Sequence, residues 1–465
     1  MKINIANNET IHFIGIGGIG MSGLAQIMDN MGFTVQGSDL SQSKNTERLK
    51  KSGIKVFIGH NKKNLKKATM VVISSAIKNN NKELKLAKYK QLPVFKRGEM
   101  LANIVSLKKN VVVTGSHGKT TTTSLVANIL VEAGLDPTVI NGGLINSLKN
   151  TAQLGKGEWA VIESDESDGS FLKLPITYSI VTNVDKEHLD FYKNFENLKK
   201  SFSAFIEKTP SFGKSIICID DKNLKSVLAK CKSNNFLTYG FSTNSNYQII
   251  NVKKKINHSI FDLKINYLDS KIRKIKNIKV NLIGNHNITN ATASIVLALN
   301  LGIKVEKIKK ALIKFLGIQR RFTKVFSIGY SEFYDDYAHH PTEIQAVING
   351  ARYVYGNRKI ICVFQPHRYS RVKFLKNEFA KSFGLSDMVV LCPVYAAGEK
   401  FDISYNEANF AKLISKKSKT QVVNIKNEND LKNFIKKNLY DDEMVICMGA
   451  GSISSWIRKI GTELQ

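Results

Sequence analysis

The chain has 465 residues, 43% of them hydrophobic and 23% charged, which suits about three domains and excludes a disordered or collagen-like polymer. Lys and Arg number 69 against 38 Asp and Glu, a net +31 that attracts anions: phosphorylated substrates, nucleic acid or an anionic membrane. The five cysteines, Cys218, Cys231, Cys362, Cys392 and Cys447, are odd in number and form no CxxC pair, which argues for reduced, mostly buried thiols and against a disulfide frame or a zinc site. No run reaches the ~18 apolar residues of a membrane span. The start, MKINIANNETIHFIGIGGIG, lacks a signal peptide's long apolar stretch and cleavage site, so a cytoplasmic protein is expected. The lysines are scattered among asparagines and isoleucines, with no basic arm or helix, so nucleic acid is not an expected partner.

In chain order, IHFIGI (11–16) is an apolar strand running into GIGGIG, and a helical pattern follows through Met31. FTVQGSD and MVVISSA (70–76) read as later strands. Strands alternating with helices predict a parallel sheet with crossover helices. Gly15, Gly17 and Gly20 fit GxGxxG, and Asp39 ends the next strand. Here glycines let a backbone approach a diphosphate at a helix N-terminus, with an acid placed for a ribose hydroxyl. NAD, FAD and nucleotide sugars all carry such a group, so an NAD-dependent oxidoreductase stays open at this point.

NVVVTG (110–115) is a buried strand that leads into SHGKTTTT and a helix. Gly115, Ser116, His117, Gly118, Lys119, Thr120 and Thr121 form a compact GxxGK[ST]T phosphate cradle. Its backbone N–H groups face inward, Lys119 offers a cation to the β- and γ-phosphates, and Thr120 offers a hydroxyl to Mg²⁺. A dehydrogenase has no use for this loop. EWAVIESDESD places Glu163 at a strand's C-terminal end, with Asp165, Glu166 and Asp168 beside it, and NVDKEHLDFY places His188 after another strand. Residues 236–283 read as short polar strands of a small antiparallel sheet, and two helical patterns follow, Ile288–Asn300 and Lys304–Phe315. From about Gly317, KIICVFQP, DMVVLCP, QVVNI and EMVICMG give a further doubly wound α/β block.

The ordered set HFIGIGGIGMSG, VTGSHGKTTTT, VIESDESDGSF, TNVDKEHLDFY, GNHNITNATA, GIQRRF, YDDYAHHPTE and QPHRYSR, over residues 12–456, resembles the Mur ligase family. The resemblance implies three α/β domains: residues 1–106, Rossmann-like, for a UDP-sugar; 107–317, a P-loop ATPase domain with a small antiparallel sheet; and 318–465, Rossmann-like again. It implies an ATP- and Mg²⁺-dependent ligase joining L-alanine to the lactyl carboxylate of UDP-N-acetylmuramate in peptidoglycan precursor synthesis. A recycling ligase that attaches a ready-made peptide is the alternative. By the same resemblance, Gly15, Gly17, Gly18, Gly20, Ser38, Asp39 and Ser75 bind the UDP-sugar. Thr120 and Glu163 hold one Mg²⁺, and His188 a second. Asn287 and Asn290 lie at the ATP nucleoside, and Arg321 and Asp336 at its phosphates and ribose. His339, His367, Arg368 and Arg371 reach the sugar carboxylate, the acyl phosphate or alanine, with His188 near the transferred phosphoryl group and His339 a possible base. A monomer or homodimer without a membrane span is expected.

Overall fold

The computed structural model describes residues 9–106, 108–145, 150–255, 257–267, 271–439 and 441–464. Residues 1–8, part of the stretch on which the expectation of a cytoplasmic protein rests, and residue 107, at the first expected domain boundary, lie outside them. The chain forms three sheets in two compact units. The first unit holds the five- and ten-stranded sheets. The second holds the six-stranded sheet together with residues 253–260 and 281–288.

In the first sheet, β1 (Thr10–Ile14), β2 (Thr34–Asp39), β3 (Lys55–Ile58), β4 (Met70–Ile73) and β5 (Val94–Lys96) take the order β3-β2-β1-β4-β5, all parallel. The helices α1 (Ile19–Asn30), α2 (Lys44–Lys51) and α3 (Lys82–Tyr89) are the crossovers, and α4 (Arg97–Val105) follows β5. Ile11, Phe13 and Ile14 of β1 are fully buried, as a central strand covered on both faces requires. The strand order reverses between β1 and β4, so a ligand crevice is expected beyond their C-terminal ends.

The second sheet contains β6 (Lys109–Thr114), β7 (Thr138–Ile145), β8 (Asn150–Gln153), β9 (Trp159–Glu163), β10 (Tyr178–Val181), β11 (Ser215–Cys218), β12 (Phe236–Gly240), β13 (Tyr247–Lys254), β14 (Ser259–Ile265) and β15 (Lys274–Val280). Their order is β15-β14-β13-β12-β11-β10-β6-β9-β7-β8. β6 is flanked in parallel by β9 and β10, which brings three strand ends together at one site. The polar strands of 236–283 extend one edge of this sheet, β12 pairing in parallel with both β11 and β13. The helices are α5 (Lys119–Glu132), α6 (Leu189–Tyr192), α7 (Phe195–Glu207), α8 (Lys222–Leu228), α9 (Asn285–Asn300) and α10 (Val305–Lys314). Residues 119–127 of α5 are all buried, as expected of a helix without a polar face. Asn128 Nδ2 ties it to α10 by donating to Ala311 O at 2.8 Å.

The third sheet has the order β16-β17-β21-β18-β19-β20, from β16 (Thr323–Ile328), β17 (Ser331–Asp336), β18 (Ile360–Phe364), β19 (Met388–Leu391), β20 (Gln421–Asn424) and β21 (Met444–Met448). Only the β16–β17 pair is antiparallel. Every residue of β18 and β21 is buried, with a hydrophobic core on each face of the sheet. Those cores are sealed by α11 (Pro341–Tyr355), α12 (Tyr369–Phe374), α13 (Lys376–Ala380), α14 (Glu407–Ser418), α15 (Glu428–Asn438) and α16 (Ile453–Leu464). The five cysteines are free thiols, and all but Cys231 are buried.

Candidate active site

The first glycine loop is built as its spacing requires. Gly15 has φ +85°, and its N–H and that of Ile16 donate to Ser38 O at 2.8 and 3.0 Å. Gly17 N–H donates to Asp39 Oδ2 at 2.8 Å, so the acid at the end of β2 is bound to the loop after β1. A Cβ on Gly17 would stand 2.8 Å from Asp39 Oδ2 and 2.9 Å from Thr46 Cγ2, which leaves no room for a side chain. Gly18 caps α1, and Gly20 lies against the Arg97 guanidinium, a neighbour the sequence reading did not include. Ser75 is exposed in the loop after β4, where Ser74 N–H donates to Ile14 O at 3.1 Å. Ser38 is fully buried, and its hydroxyl donates inward to Glu83.

The second loop closes on β6 and opens α5. Gly115 (φ +131°) and Gly118 (φ +82°) hold conformations that L side chains rarely adopt. A Cβ on Gly118 would meet Asn290 Oδ1 at 2.6 Å, which puts Asn290 beside the loop. The segment after β10 braces the loop from below. His117 N–H donates to Asn183 Oδ1 at 2.8 Å, Asn183 Nδ2 and Thr182 Oγ1 donate to His117 O at 2.9 and 2.6 Å, and Asp185 N–H donates to Ser116 Oγ at 2.8 Å. The sequence motif TNVD contained these residues without revealing that job.

Lys119 Nζ donates to Gly115 O at 2.6 Å and to Glu166 Oε2 at 2.9 Å, with Asp165 Oδ2 3.8 Å away. Burial disfavours its charge, but Glu166, Asp165 and Glu187 outweigh burial and hold the ammonium well above its ordinary pKa. Burial pushes Glu166 up to about 7, with the Lys119 charge partly opposing it. Thr120 Oγ1 donates to Glu163 Oε1 at 3.0 Å, and Gly142 N–H donates to Glu163 Oε2 at 2.6 Å. Burial raises the Glu163 pKa against those two donors and Lys119.

These residues suit a hard divalent cation. A hydroxyl and a buried carboxylate face each other at the helix start, the donor set such ions take. Nearby, Glu166, Glu187 and His188 bring ligand atoms within 4.8 Å of one another, and Glu166 Oε1 is buried without a hydrogen-bond partner among the described residues. His188 sits at φ +54°, a left-handed conformation that is uncommon for a non-glycine residue.

The second unit gathers another group. Asp336 Oδ1 and Oδ2 accept from Ala338 N–H and Phe322 N–H, each at 2.7 Å, so the carboxylate pins the turn after β17 to the chain before β16. Burial raises its pKa to about 6 against Arg321 and those two amides. Arg321 lies 3.8 Å from Glu343 and over the Tyr337 ring. His339 Nδ1 faces Tyr337 O at 2.9 Å; a carbonyl only accepts, so Nδ1 carries the proton and Nε2 is the basic nitrogen. The His339 and His367 rings meet edge to face at 5.7 Å, and His367 stacks on Tyr395 at 5.7 Å and 14°. Burial, with His339, Arg371 and Arg368, lowers His367 to about 3, so it is neutral and its Nδ1 accepts from Arg371 Nη1 at 3.2 Å. Tyr395 was missed by sequence reasoning, since nothing in VYAAGE marks it. Arg368 is exposed. Asn287, in the first turn of α9, donates to Ile283 O at 2.8 Å.

Three α/β sheets with two glycine turns, each leading from a strand into the N-terminus of a helix, are the architecture of a nucleotide-using enzyme. Three family models match in succession: the Mur ligase family catalytic domain at residues 10–109, the Mur ligase middle domain at 113–298, and the Mur ligase glutamate ligase domain at 320–451. The chain belongs to the Mur ligase family. It is 57% identical over 460 residues to the UDP-N-acetylmuramate–L-alanine ligase of Pelagibacter ubique, covering 99% of each chain. It is 44% identical to that of Parvibaculum lavamentivorans, covering 98% of this chain and 92% of the relative. Among solved structures, the UDP-N-acetylmuramate–alanine ligase of Thermotoga maritima matches with TM-score 0.82 at 28% identity, covering 98% of both chains. A murein peptide ligase from Psychrobacter arcticus shares the fold, with TM-score 0.72 at 23% identity and 98% of both chains covered. Among the described residues no helix is long and apolar enough to cross a membrane.

Proposed function

We propose that this chain uses ATP to join L-alanine to the lactyl carboxylate of UDP-N-acetylmuramate, in peptidoglycan precursor synthesis, through domains at residues 1–106, 107–317 and 318–465. The observation that carries the reading is the second loop: Lys119 beneath a glycine cradle, beside the Thr120–Glu163 pair at 3.0 Å. The relatives' names and their full-length match support the choice of substrates.

A carboxylate is a poor electrophile. One of its oxygens attacks the γ-phosphorus of ATP, the bond to ADP breaks, and an acyl phosphate forms. The amine of L-alanine then attacks the acyl carbon, and inorganic phosphate leaves as the amine gives up a proton. Lys119 offsets the repulsion between the two anions, and the backbone N–H groups of Gly115–Thr121 hold the ATP phosphates. Thr120, Glu163 and His188 are the residues assigned to Mg²⁺, which when bound neutralises phosphate charge. Gly17 and Asp39 position the UDP, with Gly15, Gly18, Gly20, Ser38 and Ser75 around it. Asn290, Asn287, Arg321 and Asp336 serve the ATP side. His367, Arg368 and Arg371 attract the carboxylate or acyl phosphate, and His339 Nε2 takes the amine proton.

Phosphate release from ATP, Mg²⁺ and UDP-N-acetylmuramate, with L-Ala, L-Ser, Gly and a tripeptide compared as acceptors, tests this. Release should depend on L-alanine. Release with the tripeptide alone would move the chain to peptide recycling.

A further inference from the structure

The end of β7 carries no residue assigned to either nucleotide, yet it touches the Thr120–Glu163 pair. β7 runs parallel to β9, with Val139 beside Val161 and Ile140 beside Ile162. One residue further in that register, Asn141 comes level with Glu163, the last residue of β9. Asn141 is buried, and its Nδ2 donates to Ser124 Oγ at 2.9 Å. Ser124 Oγ in turn donates to Thr120 O at 2.7 Å, one turn back along α5. Gly142 comes next, and its N–H donates to Glu163 Oε2 at 2.6 Å. Thr120 Oγ1 donates to the other carboxylate oxygen, Oε1, at 3.0 Å. The bonds close a ring from Thr120 through Ser124, Asn141, Gly142 and Glu163 back to Thr120. The carboxylate is thereby tied, through two residues of β7, to the turn of α5 that carries the hydroxyl.

The carboxylate also explains why residue 142 is a glycine. Gly142 does not hold a left-handed φ, so its backbone would accept an L side chain. A Cβ there, however, would stand 2.6 Å from Glu163 Oε1 and 2.9 Å from both Glu163 Cδ and Oε2. The atoms in the way are the end of a flexible side chain, and Gly142 itself is exposed. Alanine at this position therefore displaces the carboxylate and leaves the strand in place. It removes no hydrogen-bonding group from the chain, so its effect is confined to where Glu163 points.

We propose that Gly142, anchored to α5 through Asn141, is a positioning residue for Glu163: its N–H retains Oε2, so that Oε1, the oxygen facing the Thr120 hydroxyl, is the one presented to a divalent cation. The proposal rests on the reading of Thr120 and Glu163 as cation ligands. A carboxylate ligand is useful only when its free oxygen is aimed, and the groups that aim it matter nearly as much as the ligand. Their loss costs about 10- to 100-fold in metal affinity.

The test is calorimetric binding of adenylyl imidodiphosphate, a non-hydrolysable ATP analogue, to the full chain in Mg²⁺ and again in EDTA. The variants are Gly142→Ala, Glu163→Ala and the two combined. The unmodified chain should bind the analogue more tightly in Mg²⁺ than in EDTA. Gly142→Ala should lose about tenfold or more of the affinity in Mg²⁺ and none in EDTA. The unchanged value in EDTA also shows that the variant is folded with its phosphate cradle intact. In the combined variant Gly142→Ala should cost nothing beyond Glu163→Ala, because no carboxylate is left to displace. Native affinity of Gly142→Ala in Mg²⁺ overturns the proposal. So does an equal loss in both media, which would trace the effect to the cradle itself, and so do additive losses in the combined variant. Equal Mg²⁺ dependence in Glu163→Ala and the unmodified chain sinks the prior reading of Glu163 as a cation ligand instead.

Discussion

Lys119 is held by two carbonyls of its own loop and by Glu166, so its ammonium is already aimed into the cradle before any phosphate arrives. Lys119→Ala removes the one cation inside the loop but leaves Gly17 and Asp39 untouched. Turnover should fall by at least about 10²–10³-fold, the scale for losing one preorganised electrostatic group, while the Kd for the UDP-sugar stays the same. Turnover near normal would show that the loop does not bind ATP. The mirror experiment is Gly17→Val. Its side chain would strike Asp39 and Thr46, so KM for the UDP-sugar should rise about tenfold or more, with KM for ATP unchanged; a selective loss of ATP affinity would reverse the assignment of the two loops. Both turns were legible in the sequence because their backbone shape depends on the short-range spacing of glycines between a strand and a helix. Glu166 was visible only as one of several nearby acids, since its partner is 47 residues away. The Glu83 cluster was invisible, because Glu83 opens α3 while the groups around its carboxylate come from β1, β2 and the segment after β3.

At the scale of elements, α3 couples a cap to a charge. Asn81 Oδ1 accepts from Glu83 N–H and Leu84 N–H at 2.9 and 3.1 Å, which fixes the turn that carries the buried carboxylate. The Glu83 pKa is lowered on folding from 4.5 to about 2, so the folded state binds fewer protons than the unfolded one through that interval. Its stabilisation is therefore complete above about pH 4.5 and is lost as the pH falls through about 2. Denaturant unfolding of the native chain and Glu83→Gln should differ by a constant amount from pH 5 to 7, and the two should converge in acid. A constant gap down to pH 3 would mean that the charge contributes nothing. Strands were the easiest elements to foresee, since runs such as NVVVTG and KIICVFQP have unbroken apolar centres, VVV and IICVF, rich in β-branched residues. Helix starts were harder: periodicity begins α9 at Ile288, whereas the helix begins at Asn285 after Gly284 (φ +90°). Its first turn, Asn-His-Asn, carries no apolar residue for a pattern to detect. The polar strands of 236–283 were foreseen as strands, but their place at the edge of a ten-stranded sheet depends on pairing partners that local pattern does not name.

Over the whole molecule the arithmetic of charge dominates, because 38 acids cannot pair 69 bases. The acids are shared instead: Glu132 serves both Lys310 and Lys314, and Glu196 serves both Lys199 and Lys230. Such exposed pairs contribute roughly 0–1 kcal/mol each, too little to cancel the repulsion among the lysines left over. Net charge of this size opposes the compact state and is relieved by counter-ions, whose screening length falls from about 30 Å at 0.01 M salt to about 8 Å at 0.15 M. Thermal unfolding followed from 0.01 to 0.15 M KCl should therefore show Tm rising by on the order of a few °C, most steeply at the low end. A surface stabilised mainly by its ion pairs would shift the other way, because screening weakens attraction as readily as repulsion. The sign of the slope therefore tells whether the excess lysine is an electrostatic burden or one that the shared acids already neutralise.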